Sequence, residues 1–224
     1  MTLLKSINII FALCMLLLIS ACGKTDTEGT ITGTGNTNTE ARSVGNFTSM
    51  VVNGNQTIHI IYDTQQKVEI KSYDNLRQYY ITKVENGVLT VGYTDTVSID
   101  NDNMQVYIYT PSFGKYTVNG GGPTDVTGTF YGQNCNFEIN GGAGIGLTNL
   151  ANNTITVLVN GDGLFHGYTA TCQTLNGTVN GTGTIEMKVL GTLNGTVNGK
   201  GFIIYDGSPV VNQTVTGGGT IRHK

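Results

Sequence analysis

The C-terminal half of this chain repeats one phrase, apolar-Asn-Gly-x-Gly, at near-constant intervals. It stands at Val118-Asn119-Gly120, Ile139-Asn140-Gly141, Val159-Asn160-Gly161, Val179-Asn180-Gly181 and Val197-Asn198-Gly199, and in altered form at Val215-Thr216-Gly217. Counted on Asn119, Asn140, Asn160, Asn180, Asn198 and Thr216, the successive steps are 21, 20, 20, 18 and 18. A fixed period near 20 is the mark of a solenoid in which each repeat makes one coil. At roughly 3.3 Å per extended residue, one step is a loop of about 60–70 Å. That length suits one rung of a parallel β-helix.

Between the markers the residues alternate apolar and polar, as in Thr154-Ile155-Thr156-Val157-Leu158-Val159. Period-2 alternation with β-branched residues predicts strands. Gly after Asn supplies the positive φ of a corner. Asn tolerates the left-handed region and can bond to the Asn one rung away. Asn-Gly is also the strongest hairpin turn, so antiparallel hairpins are the competing reading. A second Asn-Gly only four residues before the marker, at Asn176-Gly177 and Asn194-Gly195, fits bends of one coil better than successive hairpins. The expected fold is all-β, a right-handed parallel β-helix whose rungs are the length of these steps.

Composition removes some functions. Charged residues are 12% of 224 and the net charge is −3, which leaves no clustered Lys and Arg for nucleic acid. The 38% hydrophobic content in ordered alternation argues for folded β structure over disorder.

Residues 1–21 read as a lipoprotein signal peptide. Lys5 is the positive n-region, and the apolar run from Ile9 to Ile19 is too short to span a bilayer as a helix. Ile19-Ser20-Ala21-Cys22 resembles the bacterial lipobox, with Cys22 as the lipidated N-terminus and the membrane as partner through its acyl chains. Residues 22–41 then read as a flexible tether rich in Thr, Gly and Asn. Gly23 is not the Asp of inner-membrane retention, which favours an outer-membrane destination.

Residues 42–224 read as a single domain. Its first half is β with one interruption, in which Asn75 to Tyr79 makes a single helical turn and Glu85-Asn86-Gly87 a tight turn. These strands are expected as wider, less regular first coils continuous with the ladder; a separate N-terminal β domain is the alternative.

The start of the domain, Arg42-Ser43-Val44-Gly45-Asn46-Phe47 running through alternating apolar residues into Asn53-Gly54, directly follows the leader. Together with the repeated Ile139-Asn140-Gly141-Gly142 phrases, it resembles the auto-transporter adhesin, head GIN domain family, over about residues 42–222. The resemblance implies a right-handed β-helix at the outer membrane or cell surface. It brings no catalytic residues.

The residues themselves offer little chemistry. Cys135 and Cys172 lie two rungs apart, about 9.6 Å along the axis, beyond disulfide reach, and are expected as free buried thiols. The Gly-rich stretch at Gly141 to Leu147 lacks the Asp of a calcium-binding repeat, and Asp162 alone cannot supply six to eight oxygens. His59, His166 and His223 show no metal-ligand spacing, so neither metal nor cofactor is expected. Glu186 and Lys188 share a strand face and read as an exposed charge pair that keeps the sheet soluble.

Tyr79, Tyr80, Tyr107 and Tyr109, in the first coils, are the candidate binding residues, suited to stacking on sugars or anchoring a protein. Packing at the wide end of the helix is the other reading of these rings. Three functions stay open. The leading one is a lipid-anchored outer-membrane or surface module that binds an extracellular glycan or protein without catalysis. A carbohydrate-active enzyme would need a cleft with two acidic side chains. A periplasm-facing structural lipoprotein would need no ligand.

Overall fold

The structure, a computed structural model, describes residues 28–95 and 97–224. The signal peptide and Cys22 lie outside the described residues. The chain opens with β1 (Glu28–Thr32), β2 (Thr37–Arg42), β3 (Ser49–Asn53), β4 (Thr57–Tyr62) and β5 (Lys67–Tyr73), then a 3-10 turn at Arg77–Tyr79. Next come β6 (Tyr80–Glu85), β7 (Val88–Tyr93), β8 (Val97–Asp100), β9 (Gln105–Thr110), β10 (Lys115–Asn119), β11 (Thr124–Thr127) and β12 (Phe130–Asn140). The last part holds β13 (Gly144–Gly161), β14 (Leu164–Gly181), β15 (Thr184–Gly199), β16 (Phe202–Asp206), β17 (Val210–Thr216) and β18 (Thr220–His223).

From β10 onward the strands stack in parallel register, coil upon coil, as a β-solenoid. Each coil has two main faces joined at the Asn-Gly corner. The ladder face stacks β3, β10, β12, the C-terminal halves of β13, β14 and β15, and β17. The opposite face stacks β9, β4, β11, the N-terminal halves of β13, β14 and β15, then β16 and β18.

The corner geometry repeats because its chemistry repeats. Gly141, Gly161, Gly181 and Gly199 hold φ of +129°, +130°, +133° and +134°. A Cβ on Gly181 would lie 2.5 Å from the Gly161 carbonyl oxygen, so any side chain there meets the backbone of the next coil. Beside the glycines the asparagines form a bonded column. Each Nδ2 donates to the Oδ1 one coil back: Asn119 to Asn53, Asn140 to Asn119, Asn160 to Asn140, Asn180 to Asn160 and Asn198 to Asn180, at 2.8–2.9 Å. Thr216 takes the last place in register with Asn198.

The column begins at Asn53, 66 residues before Asn119, because the coils of the first half are not stacked in chain order. β3 and β4 make a coil directly against β10 and β11. β7 and β9 come later in sequence, yet they stack in parallel on the far side of β3 and β4. The end is then closed by strands of opposite sense. β6 pairs antiparallel with β7, β5 with β9, and β2 with β5. The two-residue turn between β6 and β7 uses positive φ at both Asn86 (+50°) and Gly87 (+75°), the geometry that matches strand twist. Apart from β1 and β8, which pair as a separate two-stranded sheet, the first-half strands are thus continuous with the ladder sheet, in swapped order and with an antiparallel cap.

Two expectations are corrected here. Residues 28–41 are not a free tether: β1 pairs with β8, and β2 lies along β5 from Thr37 opposite Tyr73 to Arg42 opposite Val68. Arg42, Glu40, Arg77 and Asp74 bind this edge together, with contacts of 2.7–3.3 Å. Asn176-Gly177 and Asn194-Gly195 are not corners either. They lie mid-strand in β14 and β15, where Asn176, Asn194 and Asn212 form a second outward amide column at 2.8–2.9 Å. Gly177 and Gly195 face the interior.

The rung shortens at the far corner, where Gly167 faces Met187 but Thr171 already faces Lys188, and the inward column of the ladder face tapers alongside. In register it reads Tyr116, Phe137, Val157, Gly177, Gly195. As the side chains shrink, the opposite face moves into the space: the Ile203 and Ile185 Cδ1 atoms lie 3.3 and 3.4 Å from where a Gly177 Cβ would be. The core therefore narrows from aromatic coils, with Phe137 and Phe165 centroids 5.0 Å apart, to aliphatic ones.

Candidate functional site

Strand alternation puts every second residue outside, and parallel register lines those residues up across coils. On the face opposite the ladder, one such row reads Glu69, Tyr107, His59, Asp125, Gly146, His166, Glu186, Ile204, Arg222. At about 4.8 Å per strand it runs roughly 40 Å. The residues beneath it, such as Val106, Ile58, Val126, Ile145 and Ile185, are fully buried, so the row stands on a rigid base.

Tyr107 and Tyr109 are at one end of this row. The His59 ring stacks on Tyr107 with centroids 4.7 Å apart and planes 22° from parallel. The Tyr107 hydroxyl donates to Gln105 Oε1 at 2.7 Å. Lys67 Nζ sits 4.0 Å over the Tyr109 ring and 3.3 Å from Glu69 Oε1. The Tyr109 hydroxyl donates to Glu69 Oε2 at 3.3 Å, and partial burial followed by the Glu69 charge pushes this phenol up from its usual range. Each ring thus has one face held by a neighbour, which fixes its orientation while leaving it partly open to solvent.

Two imidazole–carboxylate pairs continue the row. His59 Nδ1 lies 3.7 Å from Asp125 Oδ2, and His166 Nδ1 meets Glu186 Oε2 in a short hydrogen bond. Gly146 stands between the pairs and leaves a notch where its neighbours carry side chains. Glu186 is therefore paired with His166, and its expected role as a charge partner of Lys188 is replaced by that contact; Lys188 is in register with Asp206. Tyr168 adjoins His166 edge to face at 5.2 Å and carries Lys224 Nζ 4.0 Å above its ring.

The four candidate tyrosines do not form one site. Tyr107 stands in the row just described, and Tyr109, two residues further along β9, lies beside it on the same face. Tyr79 belongs to the 3-10 turn at the capped end. Tyr80 is core: it is 3% exposed, its hydroxyl accepts from Gln56 Nε2 at 2.6 Å, and its ring meets Tyr93 edge to face at 5.1 Å. Tyr80 opens β6 on its inward side, from which the strand alternates. His59, Asp125, His166 and Glu69 entered the site only through register, since neighbours in the row stand on different coils, far apart in the chain.

Cys135 and Cys172 are buried and free, and burial pushes both thiols up to about 12. Among the described residues no group of three or more His, Cys, Asp and Glu is placed to hold a metal ion.

The fold and this face define a class, that of β-solenoid scaffolds which display an elongated lateral surface. The profile of one family, described as putative auto-transporter adhesin, head GIN domain, matches residues 46–224. The chain belongs to that family. Among solved structures, a putative adhesin from Bacteroides fragilis is similar, with TM-score 0.75 and 18% identity over 87% of this chain and all of the other. A putative adhesin from Parabacteroides merdae (TM-score 0.54, 18% identity, 87% of this chain and 99% of that one) shares the fold. So does a putative lipid-binding protein from Parabacteroides distasonis (TM-score 0.58, 16% identity, the same coverages). No curated protein matches the chain.

Proposed function

We propose that the chain is an adhesin module of the bacterial outer membrane, anchored by lipid at Cys22 and binding an extracellular glycan or protein through the row from Glu69 to Glu186. The observation that carries this reading is the row itself with Tyr109 beside it: oriented aromatic rings, imidazoles and carboxylates on a rigid base, about 30 Å long between those two residues. A surface of that kind makes many weak polar and aromatic contacts with an extended ligand. Family membership supports an envelope or surface role.

The spacing of the acids favours binding over cleavage. Glu69, Asp125 and Glu186 recur every third strand of the row, about 14 Å apart. Glycosidic carboxylates work at about 5–9.5 Å.

Two experiments test the proposal. An antibody to the folded domain should stain intact source cells, with a periplasmic protein as control; staining only after the outer membrane is breached would overturn the surface assignment. A glycan and host-protein array should then give a ligand whose binding falls at least tenfold in Tyr107→Ala and Tyr109→Ala, with thermal unfolding little changed. Binding unaffected by both substitutions would remove this row as the site.

A further inference from the structure

The two ends of the solenoid are built differently. At one end β7 and β9 are covered by the antiparallel β6 and β5, and β5 by β2. At the other, β17 pairs only with β15 and β18 only with β16, so among the described residues the outer edges of both strands carry no neighbour. The core is open there as well. Val159, Val179 and Val197 are fully buried, while Val215, next in the same inward column, is 41% exposed. Ile221 and Val211 are partly buried. Unpaired backbone beside open apolar side chains is a template for another strand.

We infer that this end binds a second copy of the chain, open end to open end, with β17 antiparallel to the partner's β17 about a twofold axis. Three features select a second copy in this arrangement. The outer strands of the other end, β2 and β6, carry Glu40, Arg42, Lys83 and Glu85, which blunt those edges against head-to-tail stacking on the uncharged β17. β17, Val-Val-Asn-Gln-Thr-Val-Thr, has no charged residue, so two copies approach without like-charge repulsion, whereas β18 carries Arg222 and His223. Gln213 is the third feature. It takes the inward column of Gly177 and Gly195, yet it is exposed. When all seven residues of β17 pair about a twofold axis, the fourth, Gln213, lies opposite itself. A carboxamide is both donor and acceptor, so it bonds to its own copy. The result is an isologous interface that continues the ladder face through the axis.

Facing residues in an antiparallel pair have Cα atoms about 4.5–5.5 Å apart, within disulfide range. The test is therefore oxidation of Gln213→Cys by a mild oxidant, in intact source cells and with the purified full chain, read on a non-reducing gel. A covalent dimer in most of the protein is the expected result. Thr192→Cys, on the outward face one coil away, and the wild type are the controls and should show no covalent dimer on that gel. No more dimer from Gln213→Cys than from the controls would overturn the inference. Hydrogen exchange on the wild-type chain gives a second reading. Protection of the β17 amides should rise with protein concentration; protection that does not change with concentration would mean the chain covers its own edge, and would also overturn it.

Discussion

At the scale of single residues, the solenoid is held by a few positions repeated many times. Asn160 accepts from Asn180 and donates to Asn140, both at 2.8 Å. Asn160→Ala removes both bonds, each worth about 0.5–1.5 kcal/mol net, and partial exposure lets water take up the freed groups. The expected loss is about 1–2 kcal/mol in urea unfolding. Gly181 is more constrained, because φ is +133° and a Cβ would sit 2.5 Å from the Gly161 carbonyl. Gly181→Ala should cost about 3 kcal/mol, from backbone strain plus displacement of the neighbouring coil. Equal stability of that variant and the wild type would show that the corner relaxes.

At the scale of elements, the cap hairpin of β6 and β7 is fastened to the first coil through Tyr80. Its hydroxyl is the buried partner of Gln56, which sits just before β4. Tyr80→Phe keeps the ring against Tyr93 but leaves one amide N–H of Gln56 without that partner. It should lower stability by about 1–2 kcal/mol. Ligand binding at Tyr107 and Tyr109 should stay intact, because those rings lie on another strand and outside. A binding defect in Tyr80→Phe with no loss of stability would reverse this assignment and return Tyr80 to the site.

For the molecule as a whole, buried acids set the response to pH. Burial raises the thiols of Cys135 and Cys172 to about 12, from an ordinary value of 9.0. Burial also pushes the phenols of Tyr80, Tyr93 and Tyr116 upward from 10.0. Groups raised in the folded state keep their protons longer there than in the unfolded chain. Their contribution to stability is full below about pH 9 and is lost as the pH rises through 9 towards 12 and beyond. The urea midpoint should therefore fall clearly between about pH 8 and pH 11. A constant midpoint would mean that these side chains reach solvent. Neither cysteine should take up a thiol reagent in the native protein near neutral pH, and both should do so when it is unfolded.

The sequence by itself determined the coil. A near-constant step between markers, alternation and a glycine after each asparagine are local requirements, met by neighbours in the chain, so the parallel stack and its ladder from Asn119 to Thr216 were legible. So was the turn at Asn86 and Gly87, because only two residues decide it. Tertiary structure decided the rest. The swap that lays β7 and β9 outside β3 and β4, the antiparallel cap, and the docking of β1 and β2 in place of a tether depend on which edges find each other, and edge pairing has no local code. The candidate site shares that origin. Alternation put Tyr107 and Tyr109 on one strand face, without deciding whether that face was outside. Register alone set His59 against Tyr107, Asp125 against His59, and His166 against Glu186, and in the first coils those gaps follow no sequence period.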